Sequence, residues 1–206
     1  MLQTDLIGAA ENGAKNLVIA LHGLGDSMEG YRWVPQALGM NNVNVLLVNA
    51  PDAYYGGFSW FDFTSDPGSD IERSYRALEA LLDDCRAKGF PSERTLLFGF
   101  SQGCLMTMET GLRYSHPLAG CIGVSGWVHE PDRLLRISSP VAKKQKFLVT
   151  HGSQDPLIRL DQARPTYEKL QQSGINIEFL IFAKEHTILP EEIDLFREFI
   201  RKALAT

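Results

Sequence analysis

A glycine, a serine and a glycine spaced by single residues, Gly99-Phe100-Ser101-Gln102-Gly103, constrain this chain more than any other stretch. Residues 95–108 around them read as a short apolar strand, a tight turn and a helix. Leu96, Leu97 and Phe98 form a buried-strand run, and Leu105, Met108 and Leu112 recur at helical spacing. In that context Gly-x-Ser-x-Gly is the nucleophile-elbow pattern. The serine stands at the apex of a strained strand-to-helix turn that exposes its hydroxyl. Side chains two positions away would collide with the turn, so glycine flanks it on both sides. The helix behind it begins with free N–H groups, which suit a developing negative charge.

The chain's 206 residues are enough for a substantial core, and a single domain over 1–206 is expected. A formal charge of −5 and the lack of a dense Lys/Arg window argue against nucleic-acid binding. No apolar run approaches the roughly 20 residues of a membrane span, so no stable membrane insertion is expected. The first residues, Met1-Leu2-Gln3-Thr4-Asp5, carry no basic-then-apolar leader. Cys85, Cys104 and Cys121 are an odd set without metal spacing. Each sits among apolar neighbours, which reads as buried free thiols in a reducing compartment and points to the cytoplasm.

Strand-like and helical runs alternate. Strands are expected over 17–21, 43–48, 96–98, 121–124, 147–150 and 177–182. Helices are expected over 31–38, behind a Ser69-x-x-Glu72 capping box, after the elbow, over 162–172 and from Pro190 onward. The long stretch 49–68 reads as irregular. Such alternation predicts a mostly parallel sheet with helices on both faces, whose ligands bind beyond the C-terminal ends of the strands.

A serine hydroxyl needs a base, and the base an orienting acid. In the elbow fold the order along the chain is serine, acid, histidine. His129, His151 and His186 follow Ser101, and only His186 has a strand-end acid between it and the serine. That acid is Asp155, delivered by the strand ending at His151-Gly152. Asp161 competes but is better read as the N-cap of the next helix. His151 shapes the acid's turn. The oxyanion hole needs two preorganised N–H groups. Gln102, the residue after the nucleophile, supplies one. Leu24, in the loop His22-Gly23-Leu24-Gly25-Asp26, supplies the other. Asp26 either pins that loop or caps a helix.

These segments, together with Ser125-Gly126-Trp127 and His151-Gly152-Ser153-Gln154-Asp155-Pro156, resemble the phospholipase/carboxylesterase family over nearly the whole chain. The family includes acyl-protein thioesterases and small bacterial carboxylesterases. The resemblance implies an α/β-hydrolase fold without a large cap and a triad of Ser101, Asp155 and His186. It implies hydrolysis of carboxylic esters, with thioesters and lysophospholipids as alternatives, on a small-molecule or acylated substrate and without a cofactor. The family's Trp-Phe-Asp matches Trp60-Phe61-Asp62. An acyl groove along Tyr55, Phe58 and Trp60 is therefore expected, suited to short or medium chains. Two positions depart from the family: Glu185 stands where glycine usually precedes the base, and Cys104 where a small residue follows the elbow. A binding protein that kept this fold without turnover would be expected to have lost a triad or elbow residue, and none is missing. The oligomeric state, a homodimer included, is left open.

Overall fold

Residues 16–21 are the clearest strand of the chain: six consecutive residues, none reaching the surface. A run buried on both faces needs a strand on either side and helices above and below. The computed structural model, which describes residues 2–63 and 66–205, supplies all four. Strand β2 (Asn16–Leu21) lies between β3 (Val43–Val48) and β6 (Thr95–Phe100), parallel to both. Beyond β6 follow β7 (Gly120–Val124), β8 (Lys146–Gly152) and β9 (Asn176–Phe182), all parallel. Strand β1 (Thr4–Ile7) pairs antiparallel with β3 and closes the far edge, giving the order β1-β3-β2-β6-β7-β8-β9.

The strands' alternation sorts the core into two layers. Leu17, Ile19 and Leu21 face α2 (Gly68–Ala87), α3 (Gln102–Arg113) and α5 (Leu160–Gln172), where Leu78, Met108 and Leu170 meet them. Val18 and Ala20 face α1 (Val34–Leu38) and α6 (Pro190–Leu204), packing with Val34, Phe196 and Ile200. No cap domain interrupts the described residues. None of their helices is long and apolar enough to cross a membrane.

Several local expectations change. Stretch 49–68 is not wholly irregular: it holds a small hairpin, β4 (Asp52–Tyr54) against β5 (Gly57–Ser59), while its residues 64 and 65 lie outside the described ones. Helix α2 begins before Ser69, and the side chain of Asp66 takes the Gly68 N–H at 3.0 Å. Glu72 is thereby free to pair with Arg113 at 2.6 Å instead of closing a capping box. Asp161 lies inside the first turn of α5, bound to Arg159, and does not cap it. A short helix, α4 (Pro131–Arg136), was not foreseen.

Candidate active site

Ser101 joins β6 to α3 with φ 55° and ψ −116°, a conformation that L residues seldom adopt. A Cβ on Gly99 would lie 2.1 Å from the Gly103 carbonyl oxygen, and one on Gly103 would lie 2.1 Å from that of Leu21. The two glycines therefore let strand and helix approach closely enough to force the turn. The Ser101 N–H is held by the Val124 carbonyl at 2.9 Å, so the elbow is fixed by the neighbouring strand end. Its oxygen-bearing apex opens into a cavity of about 580 Å³ lined by Leu24, Phe63, Trp127, Leu157, Ile158 and His186, among others.

His186 follows β9 in the connection to α6. Its Nδ1–H donates to Asp155 Oδ2 at 2.7 Å, and its ring lies 4.8 Å from that of Phe100. Asp155 is 5% exposed and behind the histidine. Its other oxygen accepts the N–H groups of Leu157 at 3.0 Å and Ile158 at 2.9 Å, so three of the carboxylate's roughly four lone-pair directions have a use. One carboxylate thus orients the imidazole and organises two residues of the cavity wall. His151, fully buried, donates from Nε2 to the Ile158 carbonyl at 2.8 Å and steadies the same turn. Burial lowers its pKa.

The loop after β2 lies against Ser101. A Cβ on Gly23 would be 3.3 Å from Ser101 Cβ. His22 at its root is buried, donates from Nδ1 to the Gly23 carbonyl at 2.6 Å and accepts the Ala50 N–H on Nε2 at 3.0 Å. Both ring nitrogens are thereby assigned to a neutral imidazole, and burial lowers its pKa accordingly. The loop is clamped from outside by β5: Gly25 N–H donates to the Phe58 carbonyl and Phe58 N–H to that of Asp26, both at 2.9 Å. Asp26 itself turns the loop, its carboxylate taking the Ser27 N–H at 2.7 Å.

Gln102 does something that the sequence did not suggest. Its buried side chain accepts the Trp60 N–H at 2.9 Å and donates to the Phe61 carbonyl at 2.8 Å. A signal for this exists: α3 is buried along its whole length, so a glutamine in it must find partners.

The three aromatics expected to line a groove do not line this cavity. Trp60 has no exposed surface and donates its indole N–H to the His22 carbonyl at 2.9 Å. Phe58 packs against the core beside His22, and Tyr55, 96% exposed, stands outward at the hairpin tip with φ 42°. A loop rich in aromatics buries whichever side its backbone hydrogen bonds turn inward, and here they turn Trp60 down. The apolar lining comes from Phe63, which stacks on Trp127 with ring centroids 5.7 Å apart, and from Leu157 and Ile158. Of the two departures, Glu185 is exposed, and Cys104 is buried beneath the elbow with Sγ 3.4 Å from Tyr167 Oη.

Comparison with known proteins agrees with this architecture. A sequence model described as Phospholipase/Carboxylesterase matches residues 3–204. An acyl-protein thioesterase 1 homolog of Dictyostelium discoideum is 32% identical, covering 91% of this chain and 90% of its own. The crystal structure of esterase PE8 superposes with a TM-score of 0.85 at 30% identity, covering 98% of this chain and 99% of its own. Arabidopsis thaliana SOBER1 superposes with a TM-score of 0.84 at 25% identity over 92% and 99%. With a family match across nearly every residue and a mostly parallel sheet shared with solved esterases, the chain belongs to the phospholipase/carboxylesterase family.

Proposed function

We propose that this protein is a serine hydrolase of carboxylic esters and thioesters in which Ser101 is the nucleophile, His186 the base and Asp155 the orienting acid. The observation that carries the reading is the 2.7 Å bond between His186 and Asp155, with Ser101 and His186 lining one cavity. Ser101 Oγ attacks the acyl carbon while His186 takes its proton, and Asp155 stabilises the resulting imidazolium. The N–H groups of Leu24 and Gln102 receive the developing oxyanion. The alcohol or thiol leaves with the proton from His186, and water releases the acyl group by the same path in reverse. The acyl chain lies against Phe63, Trp127 and Leu157. The thioester half of the reading is supported by the Dictyostelium relative, whose name is that of an acyl-protein thioesterase. All of this sits on one domain, and the buried free thiols fit a cytoplasmic protein.

Ser101→Ala should lower turnover of p-nitrophenyl acetate by about four to six orders of magnitude with the fold retained. A fluorophosphonate probe should label the wild type and not this variant. Near wild-type turnover in Ser101→Ala would remove Ser101 from the reaction.

A further inference from the structure

Seven residues, 183–189, connect β9 to α6 and carry His186. The backbone gives this segment four ties: Lys184 N–H to Phe182, Thr187 N–H to Glu185, Gln154 N–H to the Lys184 carbonyl, and Glu192 N–H to the Leu189 carbonyl. Gly152 helps from below, since a Cβ there would lie 2.3 Å from the Lys184 carbonyl oxygen. What closes the segment is a pair of charges that water does not reach. Lys184 Nζ donates to Glu192 Oε1 at 2.6 Å and to the Thr187 carbonyl at 2.8 Å, with both side chains at 0% exposure. Glu192 Oε2 in turn accepts the Leu189 N–H at 2.7 Å. The ammonium and the carboxylate thus tie residues 184, 187 and 189 to the first turn of α6, and His186 lies inside the ring so formed.

Stability alone is a poor account of such a pair. Taking two charges out of water is costly for each ion, and apolar residues of similar volume are often as stable or more so. Burial weakens the hold of Lys184 on its proton, while Glu192 and Asp155 favour keeping it. The return on this cost is geometry, because an ion pair with two further hydrogen-bonding partners has one arrangement where an apolar cluster has several. We propose that the Lys184–Glu192 pair is a positioning device that fixes the His186 backbone so that one imidazole meets Asp155 and Ser101 together. Neither residue lines the cavity beside Ser101. The proposal rests on His186 being the base. Besides Glu192, the charged or titratable groups around the ammonium are Asp155, His151 and Cys104.

The test compares Lys184→Met, Glu192→Gln and the double variant Lys184→Met/Glu192→Leu in the full-length protein, with folding followed by circular dichroism and thermal midpoint. Misplacing a catalytic group by about 1 Å costs on the order of 100-fold. Lys184→Met and Glu192→Gln should therefore lose about 10- to 100-fold in kcat for p-nitrophenyl acetate, with KM within about threefold. The double variant strands no charge, so its midpoint should recover toward wild type while its kcat stays low. That split between stability and kcat is what a purely structural pair would not produce. Wild-type kcat in any folded variant, recovery of kcat in parallel with the midpoint, or failure of all three to fold would overturn the proposal. His186→Ala, run beside them, separates the two claims: if it stays active the base is misassigned, and if it is inactive while Lys184→Met is not, only the positioning role falls.

Discussion

Trp127 and Trp60 show how position, not residue type, decides what an aromatic does. Trp127 lines the cavity beside Ser101, whereas Trp60 fills the core under the loop after β2. A methylene buried against such a wall is worth about 0.8 kcal/mol, close to fourfold in kcat/KM. Along a series of p-nitrophenyl esters, kcat/KM should climb by up to about that factor per carbon and level off once the chain passes Leu157, which is 73% exposed and marks the cavity's open side. Trp127→Ala should flatten the climb and spare the acetate ester. Trp60→Ala should instead cost about 3–5 kcal/mol of stability, as large core deletions do, and damage all esters alike. A climb that continues to palmitate, or a Trp127→Ala enzyme equally impaired on every ester, would rule out this wall. Cys104 shows the same dependence on place. Gly123 and Gly126 leave room for it, since a Cβ on either would lie within 2.6 Å of its side chain. It partners the buried Tyr167 hydroxyl, and burial pushes its thiol up to about 12, so it is no nucleophile at neutral pH.

At the level of elements, the site is a strand-to-helix elbow gripped by a hairpin. Strand β5 holds the loop after β2 through both backbone groups of Phe58, and Gln102 holds the residues after β5 through its side-chain amide. Gly57 is the closest point of the grip: a Cβ there would lie 2.1 Å from the Gly25 carbonyl oxygen, a backbone atom that can only move with its loop. Gly57→Ala should displace Leu24 and lower kcat by about 10- to 100-fold while leaving fluorophosphonate labelling of Ser101 detectable. An unchanged kcat would detach the hairpin from the oxyanion role proposed for Leu24. The grip also marks where reading the sequence stops. Strands such as β2 and β8 were legible because they are continuous apolar runs, and the elbow because its glycines have a single steric purpose. The order of serine, acid and histidine then narrowed the histidines to His186. The hairpin's three-residue strands carry no periodicity, and β1 is half exposed with a weak alternation, so neither stood out. The inward turn of Trp60 is set by partners far away in sequence, His22 and Gln102, which no local pattern encodes.

For the whole molecule, the buried histidines set how stability responds to acid. His22 and His151 are both fully buried, and burial lowers both pKa values, against smaller opposing effects from the Gly23 and Ile158 carbonyls. In the unfolded chain each titrates near about 6.5. As pH falls through that value the unfolded state takes up protons that the folded state refuses, so the unfolded state binds more and stability declines with falling pH. The slope can reach about 1.4 kcal/mol per pH unit for each histidine until its folded pKa is reached. Glu109 works in the opposite sense at more acid pH. Burial raises its pKa despite Arg113 and Arg133, so the folded state protonates first and regains some stability as pH approaches the unfolded carboxylate value. The urea midpoint should therefore be flat from about pH 8 to 7, fall between about pH 6.5 and 5, and fall less steeply below that. His151→Gln, whose side-chain amide can still donate to the Ile158 carbonyl, should show a shallower fall between pH 6.5 and 5 because one titration is gone. A midpoint that rises on acidification through this window, or a His151→Gln slope as steep as wild type, would mean that the buried imidazoles accept protons in place and that the loops they hold yield to let them.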